Sequence, residues 1–411
     1  MPSRQPLRIA IVGGSITGLT AAALLARIGA DVRVFERSQA DLAGRGAGIV
    51  THPEMHAILA RLDACADPAS LGVAVETRRV LNREGRIVGE TRLPQVLASW
   101  GRLYGALGKV LPPGIVTLGA NVVRIEPGSG EAALQLEDGR SFTADLVVGA
   151  DGLFSTVRRI FAPAVAPVYA GYVAWRGLAE ESELSAETRD AIADHFAFCL
   201  PKGEQILGYP VSGAGDDTRH GRRRFNFVWY RPAGPEELGR LLTDTEGTRH
   251  ELSIPPNRIR PEVLSRMRSD ADRLLAPAFA EVVRRTRQPF LQAILDLEAP
   301  AMAFGGRVAV IGDAAFVARP HVGMGVTKAM ADASALADAL VAAQGDVPSA
   351  LSVLDRTRRP FGAAIVARSR ALGAYMQAQQ LDARQREDAE RHRKPEAVLA
   401  ETAVPPPDLP G

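Results

Sequence analysis

The stretch Leu7-Arg-Ile-Ala-Ile-Val-Gly-Gly-Ser-Ile-Thr-Gly18 decides the fold of this chain. It begins as an apolar run typical of a buried strand, turns through paired glycines, and continues into a helix predicted over 16–28. A second strand is predicted over 31–35 and is followed at once by Glu36. A strand, a glycine-rich turn, a helix and a second strand with an acidic end form the βαβ unit that binds dinucleotides.

Each residue of this unit has a chemical task. Gly13 permits the tight turn, and Gly18 lets the helix pack closely on the strand, while the helix N-terminus offers N–H groups to a pyrophosphate. The Glu36 carboxylate can accept hydrogen bonds from ribose hydroxyls and repels a 2′-phosphate, which favours FAD or NAD over NADP. Ser15 stands where the motif usually has its second glycine, so phosphate contact there requires that its hydroxyl points away or donates to the phosphate.

The nucleotide-binding region continues beyond the first βαβ unit. A further strand is predicted through 44–50, followed by a helix over 53–62. Arg45 has two open interpretations, as a ligand of the pyrophosphate or as the cap of a loop.

Two later blocks share one design, an apolar strand that ends in an aspartate. The first covers 145–152 and ends in Asp151 and Gly152, and the second covers 307–315 and contains Gly312 and Asp313. Because open α/β sheets bind ligands at the carboxyl ends of their strands, the two aspartates predict one shared ligand. Further glycines then open an Ala-rich helix, whose N-terminus can stabilise negative charge.

The pattern changes between about 165 and 288, where aromatic and β-branched runs alternate with Gly and Pro turns and predict a separate antiparallel sheet. No second glycine-rich βαβ unit occurs in the sequence. We predict an α/β protein with C-terminal helices and three parts: a Rossmann-like, discontinuous cofactor-binding domain over 1–75, 97–165 and 290–375; an inserted substrate-binding sheet domain over 76–96 and 166–289; and a helix end with a disordered tail over 376–411, because that composition is poor in core residues.

Composition excludes several classes of protein. The chain has 411 residues, 49 basic and 47 acidic, and a net charge of +2, which argues against a binder of nucleic acid or anionic membranes. No apolar run reaches the roughly 18 residues of a membrane helix, and no signal peptide is evident, so we expect a cytoplasmic protein. Cys65 and Cys199 are far apart, and the histidines lack metal-ligand spacing, so neither a disulfide framework nor a metal site is predicted.

The three blocks, in this order, resemble the FAD-dependent aromatic-ring monooxygenases built like para-hydroxybenzoate hydroxylase, over most of the chain to about residue 375. The phrases at 45–49, 171–177 and 319–321, followed by Lys328-Ala, look most like the 2,6-dihydroxypyridine 3-hydroxylase branch of that family. The resemblance implies FAD as cofactor, NADH or NADPH as electron donor, O₂ and a small aromatic ring as substrates, and a possible homodimer.

Together with the reasoning above, the resemblance also implies which residues bind the cofactor. These residues would contact the ADP half, the ribityl chain or the isoalloxazine ring of FAD, or belong to the motif shared with the nicotinamide donor. They are Gly13, Gly14, Ser15, Gly18, Glu36, Arg37, Arg45, Arg102, Asp151, Gly152, Gly312, Asp313, Pro320, Gly323, Met324, Gly325 and Val326. The chain departs from the family pattern at four positions. These are Ser15 for a glycine, Phe316 for a common His, Thr327 for a common Asn, and Trp100 for a cofactor-binding Arg that Arg102 would replace.

In this family NAD(P)H reduces the flavin, and O₂ then forms a C4a-hydroperoxide that hydroxylates an electron-rich ring. The protein must supply a dry pocket and a base that removes a substrate hydroxyl proton. Histidine titrates near neutrality, so His52 and His321 are the catalytic candidates, with Tyr209 able to relay protons. His195, Trp175, Phe198 and Trp229 are candidate substrate contacts. The alternative for each of these residues is an ordinary hydrogen bond or a place in the core.

We therefore predict a monooxygenase that hydroxylates a small electron-rich aromatic or N-heteroaromatic ring, most simply a hydroxypyridine. Three alternatives stay open at the level of the sequence. The first is an oxygenase that acts on a larger phenolic or quinoline substrate, and the second is a flavin reductase or dehydrogenase that does not use oxygen. The third is a non-catalytic flavin-binding sensor or partner protein, which would leave the apolar sheet domain without a small ligand to enclose.

Overall fold

The computed structural model describes residues 5–40, 42, 48–379 and 381–406. Within these ranges the strands, in chain order, are β1 (Arg8–Val12), β2 (Asp31–Glu36), β3 (Gly48–Val50), β4 (Gly72–Leu81), β5 (Ile87–Ser99), β6 (Val116–Leu118), β7 (Val122–Pro127), β8 (Ala132–Leu136), β9 (Ser141–Ala144), β10 (Leu146–Gly149), β11 (Val168–Glu180), β12 (His195–Cys199), β13 (Gln205–Val211), β14 (Arg224–Pro232), β15 (Ser253–Ile254), β16 (Phe290–Glu298), β17 (Ala303–Phe304), β18 (Val308–Val310) and β19 (Phe316–Val317).

The α-helices of the same ranges are α1 (Ile16–Arg27), α2 (Pro53–Arg61), α3 (Trp100–Lys109), α4 (Thr156–Phe161), α5 (Ala186–Thr188), α6 (Pro235–Leu241), α7 (Pro261–Leu274), α8 (Pro277–Arg285), α9 (Gly325–Ala342), α10 (Val347–Gly373), α11 (Ala383–Arg391) and α12 (Pro395–Glu401). Short 3₁₀ turns lie between them, including Gly312–Ala314 and Pro320–Val322.

The first sheet has the strand order β17-β18-β10-β1-β2-β6 and is parallel except for β17. Its central strands β10 and β18, and β1 after Arg8, are apolar and buried along their length, as expected for strands covered on both faces. Of the two predicted aspartate-ended strands, β10 pairs with both β1 and β18, and all three strands are parallel, so the three glycine- or aspartate-bearing turns lie at the same end of this sheet. The predicted Rossmann-like α/β domain is confirmed.

The second sheet follows the order β15-β16-β11-β14-β13-β12-β4-β5-β3, with β19 paired to β16. It is antiparallel apart from the parallel pair β4–β12. This sheet is larger than the predicted substrate domain, because β3 and β16 also belong to it. The predicted third strand after Arg37 therefore forms as β3, but it pairs with β5 in this second sheet rather than with β2.

Strict alternation divides the side chains of the second sheet between two faces. We call the face that carries Tyr172, Tyr209 and Tyr230 the front face; it packs with residues of the C-terminal segment. The back face carries Trp175 and Trp229 and packs against helices that include α7 and α8.

The prediction of a disordered tail from residue 376 is wrong for the residues that the structure describes up to 406. These form α11 and α12, and Val398, Leu399 and Ala403 are buried in the same cluster as the front face. The few apolar residues of this polar segment are spaced so that they cover an existing apolar surface, which composition alone did not reveal.

Candidate active site

A groove of about 250 Å³ runs along the carboxyl ends of β1, β2 and β10. This edge carries the turns that follow the strands, which is where open α/β sheets bind ligands. The groove is lined by many of the residues predicted to hold the nucleotide half of the cofactor, among them Gly13, Ser15, Glu36, Arg37, Asp151, Gly152 and Asp313.

The turn between β1 and α1 requires glycine at two positions. Gly13 has a φ of +104°, and a Cβ there would lie 2.5 Å from the Ala150 carbonyl oxygen. A Cβ on Gly18 would lie 1.9 Å from the Gly13 carbonyl oxygen. Ser15 is the N-cap of α1, but its side chain makes no capping hydrogen bond. Its hydroxyl, which lies in the groove lining, is therefore available to donate to a phosphate oxygen.

Glu36 ends β2 and is held by two backbone groups. Its Oε2 atom accepts a hydrogen bond of 2.7 Å from the Gly14 N–H, and its Oε1 atom accepts one of 2.8 Å from the Ser38 N–H. A carboxylate accepts about four hydrogen bonds in total, so Glu36 keeps lone pairs for ribose hydroxyls. The N–H donors also fix the position of the carboxylate beside the glycine-rich turn.

Asp151 and Asp313 differ in what they do. The Asp151 carboxylate accepts hydrogen bonds from the Ser155 hydroxyl and from the N–H groups of Thr156 and Val157, so it caps the start of α4. The Asp313 side chain lines the groove and has no hydrogen-bond partner among the described residues. Burial raises the pKa of both carboxyl groups. Asp313 is thus the aspartate that can bind a ligand, while Asp151 shapes the neighbouring turn.

A buried arginine that sequence reasoning did not assign a role connects these two turns. Arg158, on α4, donates hydrogen bonds of 2.8 Å to the Ala314 carbonyl and 2.6 Å to the Leu153 carbonyl. It is 1% exposed. Because these bonds join the turn after β10 to the turn after β18, Arg158 sets the relative position of Asp151 and Asp313.

Gly312 is supported from α9. The Asp332 carboxylate accepts hydrogen bonds from the Gly312 N–H at 3.0 Å and from the Arg358 guanidinium at 2.9 Å. Gly312 has a φ of +63°, and a Cβ there would lie 2.8 Å from the Thr17 side chain. This turn therefore needs glycine and is held from two sides.

The loop before α9 is the predicted contact surface for the isoalloxazine ring. It contains the 3₁₀ turn at Pro320, then Gly323 with a φ of +67° and Met324 as the N-cap of α9. Val322 and Met324 anchor the loop in a cluster of buried side chains on α10. Gly325 and Val326 open α9, and a Cβ on Gly325 would meet no atom within 4 Å, so the backbone can be approached there.

The three predicted cofactor arginines have different outcomes. Arg37 lies in the groove lining beside Glu36. Arg45 lies outside the described residues. The prediction for Arg102 is wrong, because its guanidinium donates to the carbonyls of Ser70 and Asp216 and does not line the groove.

His52 joins two helix N-termini. Its Nδ1 atom lies 2.9 Å from the Thr327 hydroxyl of α9, while its own position is the N-cap of α2. Its Nε2 atom is buried without a hydrogen-bond partner among the described residues. Burial lowers the pKa of His52 to about 4, with smaller contributions from the charges of Arg78 and His56 and an opposing one from the Ala403 carbonyl.

His321 belongs to the loop before α9, and its side chain contacts the front face of the second sheet. Its Nε2 atom is 2.9 Å from the Tyr172 hydroxyl, and its ring centroid is 4.3 Å from that of Tyr230. The Nδ1 atom is buried and unpartnered in the described chain. Burial, reinforced by the charges of Arg319 and Arg176, lowers the pKa of His321 to about 3. Both candidate bases are therefore neutral at pH 7, and each has one imidazole nitrogen that can accept a proton.

Two predicted residues of the sheet domain lie on the front face. Tyr209 packs edge-on against Phe196 at 4.9 Å, and Phe198 stacks on Phe196 at 4.8 Å. Burial raises the pKa of Tyr209, so its hydroxyl stays protonated at neutral pH and can donate a hydrogen bond.

Trp175, Trp229 and His195 do not reach this face, so their assignment to the substrate site is wrong. Trp175 lies opposite Trp229 in the β11–β14 pair, and both belong to the back-face core. His195 precedes Phe196, which points to the front, and its Nδ1 atom bonds to the Thr77 hydroxyl. Aromatic composition identified these strands correctly but could not show which side of each strand faces the site.

Two polar side chains on the front face were missed as site residues. Arg176 makes no hydrogen bond or ion pair with the described part of the chain, and its Nε atom is buried. Asn226, which is 1% exposed, has both amide atoms buried without partners in the described chain. The available signal was a charged and an amide residue inside otherwise apolar strands.

The part of the chain that the structure describes offers neither a metal-binding cluster nor a membrane-spanning helix. No group of three or more His, Cys, Asp or Glu side chains there could hold a metal ion. In the same ranges, no helix is both long enough and apolar enough to cross a membrane.

Three family models match the chain. A NAD(P)-binding Rossmann-like domain matches residues 11–65, a FAD binding domain-like model matches residues 169–296, and a FAD binding domain matches residues 288–369. With the glycine-rich turn, Glu36 and the unpartnered Asp313, these matches define a FAD-dependent oxidoreductase.

Relatives and a solved structure that are similar to this chain define its family more closely. The chain is 34% identical to the 2,6-dihydroxypyridine 3-monooxygenase of Paenarthrobacter nicotinovorans, over 80% of this chain and 82% of that relative. It is 33% identical to the 3-amino-4-hydroxybenzoate 2-monooxygenase of Streptomyces cremeus, over 90% and 87% of the two chains. The solved structure of 2,6-dihydroxypyridine-3-hydroxylase from Arthrobacter nicotinovorans matches with a TM-score of 0.84 at 30% identity, covering 93% of this chain and 96% of that one.

The chain belongs to the family of FAD-dependent aromatic-ring monooxygenases. It is an enzyme that uses FAD to hydroxylate aromatic or heteroaromatic rings. The predicted family, fold class and type of reaction are confirmed, and the alternative of an oxygen-independent reductase is not supported by relatives that are named monooxygenases.

Proposed function

We propose that the substrate is a small heteroaromatic ring with a hydroxyl beside a ring nitrogen, as in a hydroxypyridine, bound between the front face and the loop at 319–325. The observation that carries this proposal is the pair Arg176 and Asn226, whose polar atoms lack partners among the described residues. Buried polar groups without partners cost free energy unless a ligand or water pairs with them.

The register of the sheet supports a shared ligand for this pair. Arg176 lies opposite Val228, and Asn226 lies opposite Leu178 in the same β11–β14 pair. Arg176 and Asn226 are therefore diagonal neighbours on one face, at a separation of roughly 7–8 Å that a single small ring can bridge. Tyr209 lies opposite Asn226 on the other side, in β13.

The chemistry of a hydroxypyridine matches these groups. In its lactam form the ring presents a carbonyl next to an N–H, which an amide such as Asn226 can pair with through one donor and one acceptor. When a hydroxyl ionises, the Arg176 guanidinium can bind the resulting oxygen anion in a charge-assisted hydrogen bond. A carboxylate-bearing ring would use Arg176 but would not need the amide edge.

FAD, reduced by NADH or NADPH, activates O₂ for transfer to the ring. The chain's own residues bind and orient this cofactor. The groove at Gly13 and Glu36 would hold the ADP half, Asp313 would bind the ribityl and pyrophosphate region, and the backbone from Pro320 to Val326 would contact the isoalloxazine ring. The donor set fits, because the groove combines a glycine-lined phosphate turn with an unpartnered carboxylate.

We assign proton removal from the substrate hydroxyl to His321. It is neutral at pH 7, and its Nδ1 atom is unpartnered among the described residues. Its low pKa makes the imidazole a weak base, so the proton transfer depends on stabilisation of the oxygen anion that it leaves. Arg176 then stabilises the ring oxygen anion, and the Tyr209 hydroxyl donates to the bound ring. His52 is the second candidate base, because its Nε2 atom is equally unpartnered but lies on the side of Thr327. The proposal includes a cytoplasmic enzyme and a homodimer.

The relatives' names support the substrate class. One acts on a dihydroxypyridine and another on an aminohydroxybenzoate, both small electron-rich rings. The test is NADH and NADPH oxidation in air by the FAD-loaded protein with hydroxypyridines, aminohydroxybenzoates and hydroxyquinolines, measuring hydroxylated product and peroxide together. We expect one hydroxypyridine to stimulate oxidation with product formed and little peroxide. Product from a benzoate or a quinoline alone would overturn the proposed substrate class.

The recognition pair is tested by Asn226→Leu and Arg176→Met, with Arg86→Met as the control because Arg86 is exposed. Loss of a hydrogen bond to the ring should raise KM by roughly 5- to 150-fold, since such a bond contributes about 1–3 kcal/mol when its partner is charged or buried. An unchanged KM in both variants would remove the pair from the site.

A further inference from the structure

The segment 395–406, which we call the strap, crosses the front face of the second sheet. It consists of α12 and the residues that follow it. Val398, Leu399 and Ala403 are buried in one cluster with Phe196 and Tyr209 of the front face. The strap therefore packs on the same surface that carries the proposed substrate contacts.

One arginine of the sheet holds the strap. Arg78, on β4, is 0% exposed and donates from Nη1 to the carbonyls of Leu399 at 3.0 Å and Thr402 at 2.6 Å. Its Nη2 atom donates to the Ala403 carbonyl at 3.3 Å, and both Nε and Nη2 donate to the Gln95 side chain. Gln95 in turn donates to the Ala403 carbonyl at 3.2 Å.

The hydrogen-bond acceptors of Arg78 are uncharged. Within the described residues Arg78 has no carboxylate partner, so its buried charge is balanced by three strap carbonyls and one side-chain amide. A guanidinium has five N–H donors in a fixed fork, and here each nitrogen has an acceptor. A buried guanidinium without these acceptors would strongly destabilise the fold, so the environment of Arg78 requires the strap carbonyls to be in place.

The strap also reaches the cofactor side. The Ala403 N–H donates a hydrogen bond of 2.7 Å to the His321 carbonyl. A Cβ built on Gly323 would lie 2.7 Å from the Ala403 Cβ, so the two residues are in close contact. Ala403 has a φ of +55°, a conformation that an L-residue rarely adopts and that tertiary contacts must hold. The Ala403 carbonyl also acts on His52, whose pKa it raises.

We propose that the strap is a wall of the active-site chamber, and that Arg78 is the positioning residue that holds the strap against the loop at 319–325. The strap bonds to the second sheet through Arg78 and Gln95 and to the main chain of the loop at His321, and it packs against Gly323. The Ala403 carbonyl also lies close enough to His52 to raise the pKa of that imidazole. Its role is to keep water from the reacting ring, which matters because reduced flavin that reacts with O₂ in a wet site releases peroxide instead of oxygenating the substrate.

The inference rests on the proposed chamber between the sheet and the loop. A matched pair of variants at one residue separates the role of the strap from a general loss of stability. Ala403→Pro removes the N–H that bonds to the His321 carbonyl, and proline cannot adopt a φ of +55°. Ala403→Gly keeps the N–H and tolerates that φ, so it should behave like the parent.

Two readouts are measured on the FAD-loaded protein. Hydrogen–deuterium exchange of residues 319–325 and 72–81 needs no substrate, so it reports on the strap even if the proposed substrate is wrong. We expect Ala403→Pro to raise exchange there by roughly fivefold, the equivalent of one hydrogen bond of about 1 kcal/mol. With a ring that the parent hydroxylates, the same variant should release several-fold more peroxide per NAD(P)H consumed.

Arg78→Gln and a chain ending at Glu401 give independent versions of the same test. Both should move peroxide release and exchange in the same direction as Ala403→Pro, while the affinity for FAD stays near that of the parent. Unchanged exchange and unchanged peroxide release in all three variants would overturn the proposal. Faster hydroxylation without extra peroxide would also overturn it, because the strap would then be an obstruction rather than a wall.

Discussion

The Tyr172 hydroxyl lies 2.9 Å from the Nε2 atom of His321, and this contact joins the front face of the second sheet to the loop before α9. Tyr172 is fully buried, and burial raises the pKa of its hydroxyl. The hydroxyl is therefore protonated at neutral pH, and its oxygen can accept a hydrogen bond from Nε2–H of the neutral imidazole. In that tautomer the Nδ1 atom of His321 holds the lone pair and is the nitrogen that can accept a proton.

The depressed pKa of His321 predicts a pH-dependent stability. Its pKa is about 3 in the folded chain against an ordinary value of 6.5, so between these values the unfolded chain binds more protons and stability falls as the pH drops. Between roughly pH 7.5 and 5, the free energy of unfolding of His321→Gln should therefore fall by about 2 kcal/mol less than that of the parent. One such group contributes about 1.4 kcal/mol per pH unit below its ordinary pKa.

Urea unfolding of the FAD-loaded protein at both pH values measures this difference. His220→Gln is the control, because His220 is 76% exposed and should leave the pH dependence unchanged. Identical pH dependence in the parent and in His321→Gln would show that His321 is not buried in its neutral form.

Asp313 is predicted to bind the cofactor directly. Asp313→Ala should weaken FAD binding by roughly 5- to 150-fold, because a hydrogen bond to a charged group contributes about 1–3 kcal/mol. Titration of the apoprotein with FAD measures the affinity, and Asp190→Ala serves as an exposed control. A titration curve that Asp313→Ala does not shift would exclude Asp313 from the binding site.

Arg158 is predicted to act on the cofactor through the two aspartate turns. Arg158→Met removes two bonds to backbone carbonyls and leaves the Ala314 and Leu153 oxygens without these donors, so we expect a loss of about 1.5–3 kcal/mol in stability. FAD affinity should fall with it, because the turns lose their link. Thermal unfolding and FAD titration measure both effects, with the exposed Arg159→Met as control. A variant that loses neither stability nor FAD affinity would contradict this role.

Substitutions on the two faces of the second sheet should differ in their effect on KM. Trp175→Phe alters the back-face core, so stability should fall by about 0.5–3 kcal/mol while KM for the ring stays unchanged. Phe198→Leu alters the front face and should raise KM. Steady-state kinetics together with urea unfolding separate the two effects. A raised KM in the Trp175 variant, with no change for Phe198, would reverse our assignment of the faces.

Much of the nucleotide half of the site was predictable because its constraints are local. The spacing from Gly13 to Gly18 and on to Glu36 encodes a turn, a helix and a strand end, and the structure shows that a Cβ at either glycine would collide with backbone. The aspartate-ended strands were also recognisable, since apolar runs that end in Gly-Asp or Asp-Gly are visible in the chain. Arg102 was misplaced because a spacing that suits a ligand suits a bond to a carbonyl equally well.

The sequence by itself determined the βαβ unit, the positions of the glycines and the existence of a second sheet, because backbone conformation and hydrophobic period depend on neighbouring residues. Only the tertiary structure decided which face of that sheet meets the cofactor, since a period of two separates the sides of a strand without naming the inner one. It also decided that the polar C-terminal segment is ordered. Arg78 binds a carbonyl at Leu399 across 321 positions of chain, and no local pattern encodes such a contact.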